Sequence, residues 1–346
     1  MRKILAAVCL CLGSTALVAQ YEERKTPEQI AEELRVAEVQ FQKAKKMFNP
    51  WYTGPIITSG SSNMPQGWGN IAPYLALADN YAQFDKHRHS HHLDSDRVNL
   101  NPKVGMQFGI TKTLDIALSL PADFNWQHHQ YGAGFSDIQV TFGFPIYIQT
   151  VHAPGIRFAV QETLPTGQYQ HLNHNGYGLS STGGGSYQTQ MTLAISKVFF
   201  WDTLHPLNLR WSFSYNFASQ VTVNGFNTYG GGYGTHARIF PGKTVNADMG
   251  IEISLTQRWV LATDIAYTAS NETTFSGHPG TTTKGGSTLA SLGGAYSDNL
   301  SLAPAIEYNW NENIGIIGGV WFSVYGRNSN NFVTGVLNFT WTFQVN

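Results

Sequence analysis

Charged side chains are scarce in this 346-residue chain: Lys+Arg 21 and Asp+Glu 22 amount to only 12% of it, about half the share of an ordinary soluble domain. A densely solvated surface is therefore excluded. The formal net charge is −1 and no basic cluster occurs, which removes the electrostatic footprint of a nucleic-acid binder. Cysteine is nearly absent too: Cys9 and Cys11 are the only two, and everything after them is cysteine-free. Long apolar runs are also missing. Beyond the first twenty residues no stretch approaches the roughly 18 to 20 apolar residues that a spanning helix needs, and the mean hydropathy is −0.20. A helical membrane protein is ruled out, and any membrane role falls to strands.

The chain opens Met1-Arg2-Lys3, runs apolar from Ile4 to Leu12, and passes Gly13-Ser14-Thr15 to a small residue at Ala19. This reads as a secretory signal peptide over 1–19. Val8 and Leu10, before the two cysteines, are too large for the small residue of a lipoprotein signal. An amphipathic helix is expected within 20–49. Thr26-Pro27-Glu28-Gln29 offers an N-cap, a proline at the first helical position and a glutamine able to close a capping box. Ile30, Leu34, Ala37, Phe41, Ala44 and Phe48 then form one apolar stripe. Such a helix suits a short periplasmic element packed on its own protein; a barrel plug and coiled-coil association are the sharper alternatives. Residues 50–70 read as a Gly/Ser/Pro linker.

From about Ile71 to Phe343 the apolar period falls from 3.6 to 2. Leu207, Leu209, Trp211, Phe213, Tyr215 and Phe217 alternate with polar neighbours, as do Val245, Ala247, Met249, Ile251, Ile253 and Leu255. Successive strand side chains point to opposite faces, so each segment carries one apolar and one polar face. Twelve such segments are legible, at 71–84, 97–110, 114–126, 135–149, 155–165, 186–199, 206–219, 243–255, 259–270, 298–310, 313–325 and 331–343. Short connections such as Thr111-Lys112-Thr113, Thr256-Gln257-Arg258 and Asn311-Glu312 alternate with long polar ones such as 166–185, 220–242 and 271–297. An even strand count with tight turns on one rim and long loops on the other is the pattern of an outer-membrane barrel.

Strand length, low charge and an apolar face carrying Trp211, Tyr215, Tyr267, Tyr308, Trp310 and Trp341 near segment ends argue against a soluble sandwich. The expected fold is thus all-β: an antiparallel transmembrane β-barrel of about 12 strands over 71–343, in the cell outer membrane of a Gram-negative-type bacterium, with a short N-terminal periplasmic α-helix. Three places fit poorly. Tyr74 and Ala76 compete with Ile71, Leu75 and Leu77 for the outer face of the first strand; Glu162 falls in phase with Ile156, Phe158 and Val160; and Leu289 to Tyr296 has the look of a thirteenth strand.

Gly134-Phe135-Ser136-Asp137 opening one strand, Glu162-Thr163-Leu164-Pro165-Thr166-Gly167 closing the next, Thr192 to Lys197 before Phe199, and Gly326-Arg327-Asn328 before the last strand together resemble an outer-membrane family. It is the meta-pathway of phenol degradation family, a group of transporter-like barrels, and the resemblance covers roughly 70–343. It implies passage of small, often hydrophobic or aromatic, compounds across the outer membrane, with no catalytic residues. Phe343 followed by Gln344-Val345-Asn346 departs from the aromatic ending usual in such barrels.

If the apolar face meets lipid, the alternate positions line the lumen. The charged candidates are Lys103, Asp115, Asp137, Arg157, Arg210, Asp248, Glu252, Asp264 and Glu307. Six acids against three bases lean toward cations, whereas opposed charges pairing across the interior would merely hold it rigid. Ten of the 12 histidines fall on the long-loop rim; His87, His89, His91 and His92 are weak metal candidates, since loop imidazoles at i, i+2 and i+4 collect Zn or Cu only if geometry closes around the ion. Gly183-Gly184-Gly185 and Gly230-Gly231-Gly232 precede no helix and are not phosphate cradles, so no cofactor is expected. His174-Asn175-Gly176 with Ser180 and Ser181 superficially resembles an outer-membrane phospholipase, but sits in a Gly-rich loop. Pro102 and Pro304 fall within strands, each removing a ladder hydrogen bond; a bulge is the simpler expectation and a lateral opening the sharper one. The expected partners are outer-membrane lipid and a small-molecule solute, the barrel being monomeric or weakly associated and not an enzyme. The rival is a surface-exposed interaction or metal-binding barrel with a closed lumen.

Overall fold

The structure, a computed structural model, describes residues 25–47 and 54–345. The signal-peptide reading of 1–19 lies outside the described residues. The described residues 25–40 belong to one unit, and the barrel belongs to a second that begins at Phe41. Helix α1 spans Pro27–Met47. Its first turn closes as the sequence expects: the Gln29 amide N–H donates to Thr26 Oγ1 at 3.3 Å, and Gln29 Oε1 accepts from the Thr26 N–H at 2.9 Å.

Sixteen strands follow: β1 Trp68–Phe84, β2 Ser90–Thr111, β3 Leu114–Gln127, β4 Gln130–Phe135, β5 Ile138–Tyr147, β6 Gly155–Leu164, β7 Gln188–Phe199, β8 Leu207–Ala218, β9 Val221–Asn224, β10 His236–Phe240, β11 Thr244–Ser254, β12 Trp259–Ser270, β13 Thr274–His278, β14 Ser297–Asn311, β15 Ile314–Arg327 and β16 Ser329–Gln344. Twelve of them form a closed antiparallel meander, β1-β2-β3-β5-β6-β7-β8-β11-β12-β14-β15-β16, sealed by β16 pairing with β1 from Trp68↔Gln344 to Phe84↔Ser329. Closure removes every edge and satisfies the backbone without water, which is why strands can cross lipid only in this form.

The outer face carries the apolar phase read from the sequence. Phe213, Ile253, Leu261, Ile306 and Leu337 are exposed while their alternates Ser212, Glu252, Ala262, Glu307 and Val336 are buried. Near the short-turn rim an aromatic band forms from Trp259 against Tyr308 at 4.7 Å, Tyr308 against Trp310 at 5.1 Å, and Trp341 against Phe343 at 5.2 Å, the girdle that suits a membrane interface. Leu75 and Leu77 take the outer face of β1, leaving Tyr74 half-buried. Glu162 lies two residues from the outer end of β6 and accepts a hydrogen bond from Thr189 Oγ1 at 2.7 Å.

Four local expectations are corrected. The strand read as 135–149 begins later, as β5 from Ile138, and the connection before it carries β4; Ser136 turns to Asp123 and Asp137 accepts amide N–H groups from Gly167 and Gly184, both at 2.8 Å, so β4 and β5 both pair with β3. Leu289 to Tyr296 is not a strand; it makes only isolated bridges, Thr281↔Leu289 and Thr273↔Gly294, and the barrel count stays at twelve. The loops 220–242 and 271–297 are not irregular throughout: β9, β10 and β13 pair into a small sheet above the barrel, packed on Val221, Val223, Ala237, Ile239 and Leu292. Pro102 and Pro304 make no bulge. The ladder lapses between Leu100↔Phe124 and Lys103↔Pro121, and between Leu302↔Phe322 and Ala305↔Gly319, without a change of register at either place.

Candidate functional site: a strapped lumen and its outer vestibule

Residues 54–67 run inside the barrel near the short-turn rim. They are rich in Gly, Ser and Pro, with little bulk and little preference for helix or strand, so their course is set by what the wall offers. Asp264 on β12 accepts the Ile57 and Thr58 amide N–H groups at 3.1 and 3.0 Å and the Thr58 hydroxyl at 2.5 Å. Ser196 Oγ accepts the Ser61 N–H at 3.0 Å, and Asp115 accepts the Met64 N–H at 3.0 Å. Asn63 donates to the Gly143 carbonyl at 2.9 Å and accepts from Arg157 Nε at 2.9 Å. Arg210 lies against the strap as well: a Cβ placed on Gly60 would stand 2.7 Å from its guanidinium. On the wall, Gly109 is required for the close approach, since a Cβ there would meet the Pro65 carbonyl oxygen at 1.9 Å.

The same interior consumes most of the charges read as lumen candidates. Asp115 is fully buried and pairs with Arg157 at 2.8 Å. Glu252, also fully buried, receives Arg210 through Nε at 2.6 Å and Nη2 at 3.0 Å and Asn208 at 2.7 Å, and buried Glu307 hydrogen-bonds the same carboxylate. Asp248 accepts from the Ser212 hydroxyl at 2.9 Å, Asp264 holds the strap, and Asp137 ties down the loop after β6. The acids thus make hydrogen bonds within the protein, and two of them are paired with arginine, so what a solute meets depends on their partners as well as on their sign.

Lys103 differs. It sits half-buried on the lumen face of β2 with its ammonium 4.2 Å from the centroid of the Tyr74 ring, a cation–π contact. Arg97, six residues earlier on the same face, was not among the charges expected to matter, nor was Asp123 on β3. Parity was the available signal: Arg97 shares that of Lys103, and Asp123 that of Asp115. Asp123 accepts from Asn99 at 3.1 Å, Asn101 at 2.9 Å and the Ser136 hydroxyl. Neither Arg97 nor Lys103 makes an ion pair among the described residues.

These cations mark the ends of a chain of cavities. The outermost, about 350 Å³, lies among Arg97, His174, Tyr177 and Phe226. It shares Ser181 and Thr228 with a second of about 450 Å³, which shares Thr182, Gln188 and Asn216 with a third of about 370 Å³ in the lumen. The third reaches Lys103, which also lines a fourth, apolar space of about 480 Å³ in the wall beside Pro73, Leu75, Pro102 and Phe339. There the β1–β16 ladder lapses between Ile71↔Trp341 and Tyr74↔Asn338, separated from the lapse at Pro102 on the β2–β3 ladder by the continuous β1–β2 ladder. Proline brings no amide hydrogen to close either gap.

The four candidate metal-ligating histidines do not converge. His89 and His91 both turn to Asp85, at 3.7 and 3.1 Å, and His92 packs toward Tyr81. Among the described residues no group of three or more His, Cys, Asp or Glu side chains is placed to hold a metal. His174 packs toward the rings of Phe226 and Tyr233 on the outer loops, and no hydrogen bond joins it to Ser180 or Ser181.

No family model and no curated protein sequence matches the chain. Among solved structures it is similar to the COG4313 outer membrane channel from Pseudomonas putida F1, at 12% identity and TM-score 0.62 over 83% of this chain and 100% of that one. Weaker likenesses include the TodX monoaromatic hydrocarbon channel, at 11% identity and TM-score 0.38 over 82% and 91% of the two chains. The NanC porin matches at 9% identity and TM-score 0.36 over 78% and 98%. At 12% identity the first of these likenesses is one of fold, and this chain's fold is a closed twelve-strand barrel of the outer-membrane type.

Proposed function

We propose that the protein is a passive outer-membrane channel for small, hydrophobic and often aromatic solutes, entering from the long-loop side. The observation that carries this reading is the run of cavities sharing lining residues from the outer vestibule to the apolar notch beside Pro73 and Pro102, while residues 54–67 cross the short-turn mouth. A water-filled porin would present an open polar lumen; here the polar groups near the lower mouth hydrogen-bond one another and the strap. The resemblance to the meta-pathway of phenol degradation barrels and the fold shared with an outer-membrane channel support the same reading.

The test is permeation. Purified protein in liposomes should pass a neutral aromatic such as benzyl alcohol faster than it passes a sugar. Ala122 on β3 also lines the wall notch, and Ala122→Trp, which narrows it, should slow the aromatic. Liposomes left impermeable to both by the wild-type chain would overturn the proposal. The strap also favours one competing reading, a closed barrel whose outer loops bind a ligand; that reading requires that no variant loosening the strap ever conducts.

A further inference from the structure

We infer that the solute carries a carboxylate: the outer vestibule is a binding site for small aromatic carboxylates, with Arg97 as the anion-binding group and Lys103 as the next station inward. This rests on the channel reading above and adds the charge of its cargo. Asp115, Asp137, Asp248, Glu252 and Asp264 accept from arginine, amide or hydroxyl donors, buried Glu307 hydrogen-bonds Glu252, and Arg157 and Arg210 are paired with Asp115 and Glu252. Along the cavities the carboxylates are Asp123 and Asp137. Asp123 is hydrogen-bonded by Asn99, Asn101 and Ser136, and Asp137 by the amides of Gly167 and Gly184.

Arg97 and Lys103 are the cations on that path; neither is in an ion pair among the described residues, although the Asp123 carboxylate acts on Arg97 from beyond contact distance. A half-buried guanidinium beside an aromatic wall of His174, Tyr177 and Phe226 offers the two things that an aromatic carboxylate requires: a planar donor fork for the anion and ring faces for the apolar body. The cavity, about 350 Å³, falls within the usual range for small-ligand sites. Arg97 and Lys103 are separated by about 20 Å along β2, with Asn99 and Asn101 on the same face between them, so one solute meets them in succession. At Lys103 the path opens onto the apolar notch, where an aromatic body finds hydrocarbon while its carboxylate stays on the ammonium.

The test compares benzoate with benzamide, its neutral isostere, on the full-length mature chain. Binding is measured by calorimetry in detergent micelles and permeation in liposomes, and retained heat-modifiable gel mobility shows that each variant is folded. Benzoate should bind at least about tenfold tighter than benzamide. Arg97→Gln should erase that difference without changing benzamide binding, and Arg97→Lys should restore part of it. Lys103→Gln should leave benzoate binding at the vestibule intact and slow its permeation. Equal affinity for the two compounds, or a benzoate preference that survives Arg97→Gln, would overturn the site, and continued permeation of both would then leave the channel reading standing. Selective benzoate binding without permeation of either compound would keep the site and remove the channel.

Discussion

Asp264 is the strongest single tie between strap and wall, and its removal should open the lower mouth. The carboxylate is fully buried and accepts two amide N–H groups and one hydroxyl from Ile57 and Thr58. A hydrogen bond to a charged acceptor contributes about 1.5 to 3 kcal/mol net, and deletion strands the buried donors as well. Relief of the desolvation cost of the carboxylate offsets part of that loss. We take about 3 kcal/mol as the net weakening, which moves the balance between strapped and released forms by more than about 100-fold. Asp264→Ala should therefore show conducting events in planar bilayers at least about tenfold more often than the wild type, and should admit sugars in liposome swelling. Thr58→Ala should act in the same direction, and adding it to Asp264→Ala should change little, because the two groups share one set of contacts. If Asp264→Ala retains heat-modifiable mobility yet conducts no more often than the wild type, residues 54–67 are not the barrier at this mouth.

Arg157→Gln leaves Asp115 buried without its cation and should lower barrel stability by about 3 to 5 kcal/mol, seen as a lower temperature for the heat-induced gel shift; Asp115→Asn in the same chain should recover most of it. In the outer hairpin, hydrogen bonds led by the His89 amide, with His91 and the His87 amide contributing, hold the Asp85 carboxyl down to about 2 from 3.8. A depressed acid supports the fold above its unfolded pKa, so protection of the His87 and His89 amides against hydrogen exchange should be constant from neutral pH down to about 4 and be lost as pH falls toward 2. Protection that fades already between pH 7 and 5 would contradict this. Ile239→Ala removes a fully buried side chain from the small outer sheet and should cost it about 2 to 5 kcal/mol. Proteases should then nick 220–242 in a barrel that stays intact; unchanged resistance would show that this sheet does not guard the loop.

What was legible in the sequence was what periodicity and capping chemistry encode. Thr26 with Gln29 closes the box expected of it, and the alternation from Leu207 to Phe217 places Phe213 outward and Ser212 inward. The strap was not legible as a strap, because a Gly/Ser/Pro stretch has no apolar rhythm and its partners lie far away along the chain, Asp264 being 206 residues from Thr58. Val221 with Val223 and Ala237 with Ile239 do alternate, yet strands of 4 and 5 residues are too short to stand out from a loop. Parity shows which side chains face inward but not which of them find a partner. This is why six acids against three bases suggested cations, while the structure leaves Arg97 and Lys103 on the path and binds the acids to the protein's own donors.

The strap precedes β1, and β1 makes the seam with β16, the last strand. Residues 54–67 therefore hang from a seam strand, and once the seam from Trp68↔Gln344 to Phe84↔Ser329 has formed, they can enter or leave the interior only through the lower mouth. The inward carboxylates of β3 and β12 thus act as a latch on a tether that is anchored at one end, setting how long residues 54–67 stay within the cylinder.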